Sequence, residues 1–189
     1  MRVIAGKVKG KLLIAPEGMD TRPIMAKMKE ALFSMWQFRI IDKSFLDLFA
    51  GSGSMGIEAL SRGASKAYFV EKSKKAIDVI NTNIKNCGLQ KDAIVYHDDV
   101  FDRVNQFKAN NQKFDIIYMD PPFTVDEIFD PVLKCVAQAQ ILAEDGILAI
   151  RTKKERELDD HVENLVKYKK KTYGKSTIHF YTYEEEENE

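Results

Sequence analysis

From residue 44 to residue 151 the chain repeats one pattern, a short apolar run followed by a longer amphipathic stretch, and few architectures accept it. Residues 44–49, 66–70, 93–97, 114–119 and 146–151 read as buried strands. Helical periodicity follows the first through Leu60, then fills 73–87, the stretch after Asp99, and 126–140 with a restart at Pro131. Ser73 has the side chain of a helix cap, and Gly88 suits the left-handed residue that ends a helix. Strands alternating with helices imply right-handed crossovers and a mostly parallel sheet covered on both faces. The end of the chain breaks the pattern. Residues 166–172 and 177–182 are strand-like and are joined across Tyr173-Gly174-Lys175-Ser176, which leaves no room for a crossover helix. They pair antiparallel, as a hairpin at one sheet edge. The expected class is α/β and Rossmann-like.

The first 43 residues differ in character. Residues 2–5 and 11–15 suit a small hairpin around Gly6 and Gly10, and Thr21 caps a helix with Pro23 near its start. The expected organisation is an N-terminal extension over 1–43, one domain over 44–183, and a disordered acidic tail over 184–189. A chain of 189 residues with 44% hydrophobic content suits a single core. The formal charge is zero but unevenly spread. Residues 1–29 hold seven basic groups against two acidic ones, residues 165–175 five lysines and no acid, and the last six residues five glutamates. Such basic ends suggest a face toward nucleic acid. No apolar run approaches the roughly 20 residues of a membrane span. Cys87 and Cys135 are too few and too distant for a metal cluster or a disulfide framework, so a reduced, cytoplasmic setting and no metal are expected. Nothing resembles a coiled coil, and a monomer is expected.

Asp47-Leu48-Phe49-Ala50-Gly51-Ser52-Gly53-Ser54-Met55-Gly56 joins the first strand to its helix. Glycine at 51 and 53 permits positive φ and lets a ligand lie against the backbone. Gly51, Gly53 and Gly56 also satisfy the dinucleotide fingerprint, with Glu71 twenty residues after Gly51. The loop alone does not choose between NAD and S-adenosylmethionine, because both present an adenosine ribose to an acid. Asp47 favours the latter, since a carboxylate at the strand tip repels a pyrophosphate and attracts a cationic aminoacyl sulfonium. Glu71 is the candidate for the ribose hydroxyls. Of Asp98 and Asp99, Asp99 is the candidate for the adenine amino group and Asp98 the expected helix cap.

Asp120-Pro121-Pro122-Phe123 is more specific. Two prolines fix φ and remove two donors, so the turn offers acceptors only. An exocyclic aromatic amine is a poor nucleophile because its lone pair is conjugated into the ring. Acceptors from the Asp120 carboxylate and the Pro121 carbonyl would hold its hydrogens, aim the nitrogen at a methyl donor and stabilise the developing positive charge. Phe123 offers a face for the base. The three histidines, His97, His161 (in a polar helix) and His179, form no triad or ligand set. Phe33, Met35 and Trp36 read as packing, and both cysteines as inert helix residues.

With these residues assembled, the chain resembles the RsmD-type 16S rRNA (guanine-N2)-methyltransferases over nearly its whole length. The likeness rests on Arg2-Val3-Ile4-Ala5-Gly6-Lys7 with Lys9-Gly10-Lys11, on Thr21-Arg22-Pro23, and on Lys29-Glu30-Ala31-Leu32-Phe33. It continues through Asp47 to Gly53, Glu58-Ala59-Leu60-Ser61-Arg62-Gly63-Ala64, Phe69-Val70-Glu71-Lys72, Asp120 to Phe123 and Tyr173-Gly174. The resemblance implies a seven-stranded class I methyltransferase fold, S-adenosylmethionine as donor, and a guanine of small-subunit ribosomal RNA, or of the assembling 30S subunit, as target. It implies that Asp47, Gly51, Gly53, Glu71 and Asp99 line the cofactor site, that Arg22 lies near the aminoacyl end or the RNA, and that Asp120, Pro121 and Phe123 hold the base. Two departures stand out: Ile24-Met25-Ala26-Lys27 replaces the family's usual Thr-Thr-Asp-Arg, and Phe123 stands where Tyr is common. The competing readings are a DNA amino methyltransferase acting on adenine N6 or cytosine N4, which usually needs a target-recognition domain that no segment here is long enough to form, and a catalytically silent RNA-binding relative. An NAD-linked oxidoreductase would need a substrate domain for which little chain is left.

Overall fold

Each apolar run of the repeating region becomes a strand in the computed structural model, which describes residues 1–17 and 26–186. The elements in order are α1 (Ala26–Met35), β1 (Ser44–Leu48), α2 (Ser54–Ser61), β2 (Lys66–Glu71), α3 (Lys74–Asn86), β3 (Ala93–His97), α4 (Val100–Ala109), β4 (Phe114–Met119), α5 (Phe129–Ala139), β5 (Leu142–Lys153), β6 (His161–Val162), β7 (Leu165–Tyr173) and β8 (Ser176–Tyr183). Ser73 caps α3, its hydroxyl accepting from Ala76 N, and Gly88 follows the helix at φ 66°. α5 begins at Phe129, so Pro131 lies in its first turn, where its missing N–H has no helical partner to lose.

The strands form one sheet in the order β3-β2-β1-β4-β5-β8-β7-β6. β1 to β5 pair in parallel, and β5–β8, β8–β7 and β7–β6 are antiparallel. The sheet thus has eight strands rather than seven, because the two residues of β6 add an edge beside Leu165 and Val166. His161 belongs to that strand and not to a helix. It turns back to pair with Val166 at once, which leaves no length for a helical turn.

Alternation along β1 sends Phe45 and Asp47 to one face and Leu46 and Leu48 to the other. The first face is covered by α1, α2 and α3 through Met28, Phe33, Trp36, Ile57 and Ile80, the second by α4 and α5 through Val104, Phe107, Val132 and Val136. The chain reverses direction of travel across the sheet between β1 and β4, which leaves a crevice at their carboxyl ends.

The expected N-terminal hairpin forms around Gly6 and Gly10: Arg2 bridges Leu12, Val3 N donates to the Lys11 carbonyl at 3.0 Å and Leu13 N to the Met1 carbonyl at 2.8 Å, while Ile4, Ala5 and Ile14 turn their N–H groups to the domain. Glu58 of α2, fully buried, accepts from Ile4 N at 2.8 Å and Ala5 N at 3.2 Å. The same carboxylate faces Lys29 Nζ at 3.3 Å and Arg62 Nε at 3.1 Å. Lys29 also donates to the Arg2 carbonyl at 3.0 Å and to Ser54 Oγ at 2.9 Å. Asn83 of α3 ties both the N–H and the carbonyl of Ile14 through its amide, and donates to the Ser52 carbonyl at 2.9 Å. Val3 and Leu13 join the core cluster of the first face. Thr21, Arg22, Pro23, Ile24 and Met25 lie outside the described residues, while Ala26 and Lys27 open α1.

Candidate active site

The crevice is built by three strand ends. β1 carries Asp47, β2 ends on Glu71, and β4 runs into Asp120. The turn after β1 is held open by backbone geometry: Gly51 has φ 57° and Gly53 φ 79°, the left-handed region that favours glycine. Gly56 serves packing, because a Cβ there would stand 2.3 Å from Phe69 Cε1. Glu71 fixes the loop. Its Oε2 accepts from Gly51 N at 2.9 Å and its Oε1 from Ser73 N at 3.0 Å. A carboxylate offers about four lone-pair directions, so each oxygen keeps one for a ligand.

Asp47 is almost fully buried and accepts from Gly56 N at 3.3 Å. Burial pushes its carboxyl well above the usual range, and the neighbouring charges of Asp120 and Glu71 push the same way. Three acidic groups thus share one crevice, where a further anion such as phosphate is disfavoured and a cation relieves their mutual repulsion.

Asp120 sits at the mouth of the proline turn with its side chain 19% exposed. Its Oδ2 accepts from Arg151 of β5 at 3.0 Å. Burial raises its carboxyl to about 6, against which Arg151 acts in the lowering direction. Among the described residues, neither Asp120 Oδ1 nor the Pro121 carbonyl accepts a hydrogen bond, whereas the Pro122 carbonyl accepts from Val125 N at 3.3 Å. The turn therefore presents two adjacent unused acceptors.

Two expectations from the sequence change. Phe123 is not an open platform, for it is 6% exposed and the Arg151 guanidinium lies 5.0 Å above its ring. The ring closes the core beneath the turn, packed toward Phe129. The helix cap is Asp99 and not Asp98. Asp99 caps α4, its Oδ1 accepting from Phe101 N and Asp102 N, since free N–H groups at a helix start draw the nearest acceptor. Asp98 pairs with Arg103, whose guanidinium stacks 4.0 Å over Tyr96. Arg22 lies outside the described residues.

Arg151 is the residue that sequence reading missed. It is 3% exposed and links Ser176 Oγ (3.1 Å) to Asp120, joining the hairpin to the proline turn. The signal was present, as an arginine closing an otherwise apolar strand.

A parallel sheet reversing at β1 and β4, a left-handed glycine turn after β1 and an acid ending β2 define the Rossmann-like class I methyltransferase fold. Residues 1–182 match the family model described as Conserved hypothetical protein 95. The chain belongs to that family, the family of the RsmD-type methyltransferases. It is 38% identical over 181 residues to YlbH of Bacillus subtilis, named as a candidate rRNA methyltransferase, covering 96% of this chain and 98% of that one. It is 31% identical to Ribosomal RNA small subunit methyltransferase D of Haemophilus influenzae, over 92% of this chain and 89% of the relative. The solved structure of the Haemophilus influenzae protein HI0767, described as a candidate methylase, superposes with a TM-score of 0.78 at 30% identity, covering 97% and 98% of the two chains.

Proposed function

We propose that the protein transfers the methyl group of S-adenosylmethionine to the exocyclic N2 of a guanine in small-subunit ribosomal RNA, acting in the cytoplasm. The pair of unused acceptors on Asp120 and Pro121, at the reversal of the sheet and beside a three-carboxylate crevice, carries the reading. The residues present fit the cofactor. A cationic aminoacyl and sulfonium end beside Asp47 would favour the ionised form of that buried carboxyl and be attracted by it, Gly51 and Gly53 let the cofactor approach the backbone, and Glu71 keeps lone pairs for a ribose diol. Asp99 Oδ2, unused in capping, is the acceptor left for the adenine amino group. When bound, the cofactor supplies an electrophilic methyl group.

The chain's own residues then do the orienting. Asp120 Oδ1 and the Pro121 carbonyl each accept one N–H of the guanine amine, which draws the nitrogen lone pair out of conjugation with the ring and aims it at the methyl donor. Ionised Asp120 stabilises the positive charge that grows on nitrogen and is the base nearest the proton to be released. Arg151 keeps Asp120 ionised and aimed, and packs over Phe123 so that the turn does not collapse. Phe123 supports this arrangement from below.

The test is methyl transfer from labelled cofactor to 30S particles or ribosomal RNA from cells lacking the protein, followed by mass spectrometry for N2-methylguanine. Transfer to DNA in preference to RNA would replace this reading with a DNA amino methyltransferase. RNA binding without cofactor binding in calorimetry would make the chain a silent relative.

A further inference from the structure

The five lysines of residues 165–175 are not equivalent. On the face of the hairpin that continues the α4 and α5 side, Lys170 pairs with Glu157 at 2.9 Å and Lys167 lies 3.6 Å from Asp160 while donating to the Leu158 carbonyl. On the opposite face, Lys169 and Lys171 stand across from Phe180 and Ile178 and have no carboxylate within ion-pair distance among the described residues. Lys169 Nζ instead reaches Met35 Sδ, at the end of α1, at 3.5 Å. Arg39, just beyond that helix, has no ion pair among the described residues but lines a cavity with Glu144, Asp145, Glu184, Glu185 and Glu186, so its surroundings are acidic. Burial raises the Tyr168 hydroxyl above its ordinary value, and the Arg39 charge lies close enough to act against that.

Aromatic rings lie among these charges. A bulge between Lys167 and Lys169 singles out Tyr168, which is 49% exposed and packs its ring 6.1 Å from Phe180. Phe38 is 84% exposed on the turn after α1. The outer edge of β7 is paired by β6 at Leu165 and Val166, and Lys167 N still donates to the Asp160 carbonyl at 2.7 Å. From Tyr168 onward no strand lies beside that edge among the described residues. The strip climbs β7 to Tyr173, opposite Ser176, whose hydroxyl receives the Arg151 hydrogen bond. Its upper end is therefore two hydrogen bonds from Asp120.

We propose that the α1-facing side of β7, formed by Lys169, Lys171 and Tyr168 with Phe38 nearby, is the surface that binds an unpaired RNA segment leading to the target base. The inference rests on the RNA methyltransferase reading above. Uncompensated cations spaced two residues apart, about 6.6 Å along a strand, neutralise successive phosphates, and exposed rings beside them stack bases of any identity. Lysines on a sheet edge also discourage pairing with other sheets. That role needs charge only, and it explains neither the exposed rings nor why carboxylates accompany the lysines of one face alone.

The test is fluorescence anisotropy of protein-free 16S rRNA fragments over a salt series, with wild type, K169E/K171E, Y168A and, as a control of equal charge change at the other end of the sheet, K85E/K91E. K169E/K171E weakens binding about tenfold or more and lowers the slope of log K against log salt by about 0.7 for each phosphate no longer neutralised, while the control keeps wild-type behaviour. Y168A weakens binding without changing the slope. Affinity for S-adenosylhomocysteine is unchanged in all of them, which shows that they fold. Equal loss in both charge-reversal variants, or none in K169E/K171E, overturns the proposal. So does loss of binding to 30S particles with binding to bare RNA intact, which would assign the strip to a ribosomal protein. Intact RNA binding without methyl transfer by the wild type would sink the enzymatic reading and leave the surface standing.

Discussion

Asp120 is where the chemistry is most sensitive to single atoms. Its carboxyl is held up to about 6 by burial, and in the proposed reaction it is the ionised form that accepts an amine hydrogen and stabilises charge on nitrogen. Activity at low substrate therefore rises with pH through about 6, and a pH–rate profile on 30S particles reads that limb directly. Arg151→Met removes the cation that acts in the lowering direction, so the limb moves to higher pH, while cofactor affinity stays near wild type. A profile unmoved by the substitution would remove Arg151 from the positioning of Asp120. Asp120→Ala lowers kcat by about 10²–10³, the loss typical of one preorganised polar group. His179 titrates in the opposite sense. Burial depresses its imidazole to about 4, and its Nε2 meets Thr152 Oγ1 at 3.0 Å. A depressed folded value means that the neutral ring favours the folded state above about 6.5, and that this contribution is lost as pH falls from there toward 4. His179→Leu flattens the dependence of melting temperature on pH across that window.

Among the elements, the attachment of residues 1–15 and α1 to α2 holds the N-terminal segment on the domain. Four groups converge on the buried Glu58 carboxylate, and Lys29 carries the link on to Ser54 at the start of α2. Burial lowers the Lys29 ammonium from its ordinary value, against which Glu58 acts. Lys29→Met leaves a buried charge short of a partner and costs about 3–5 kcal/mol in urea unfolding. Gly6→Ala acts more locally. At φ 90° the new Cβ would stand 1.9 Å from the Ser61 carbonyl oxygen, so residues 1–10 must leave α2, and limited proteolysis would cut there first. How legible these elements were depended on the range of the forces that make them. The strands and helices of the alternating region follow from period and caps, and the Ser73 cap was readable because its partner lies three residues away. The N-terminal hairpin is legible from Gly6 and Gly10, but its anchorage is not, since nothing local says that Ile4 and Ala5 will donate to a residue more than fifty positions on.

At the scale of the molecule, two core clusters on opposite faces of one continuous sheet make a single cooperative unit, with Val3 and Leu13 in the same cluster as Phe45 and Ile80. One unfolding transition is expected in calorimetry. S-adenosylhomocysteine at a hundred times its Kd adds about 2.7 kcal/mol, hence a rise in Tm of roughly 5–10 °C for a chain of this size. NADH gives no such rise; the reverse result would return the glycine loop to a dinucleotide.

The alternation, the parallel sheet with its antiparallel end, the left-handed glycine turn and the acceptor-only proline turn were all written in the chain itself, because each depends on period or on backbone chemistry within a few residues. What those groups face was settled only by the fold. It put Arg151 against Asp120 from a strand thirty-one positions later, filled the Phe123 face with that same arginine, gave the cap of α4 to Asp99, and left Lys169 and Lys171 without acids among the described residues while their neighbours found them. Hydrogen bonds and ion pairs are settled by proximity in space, which periodicity does not encode, and so the proline turn announced its acceptors but not the cation that sets their charge.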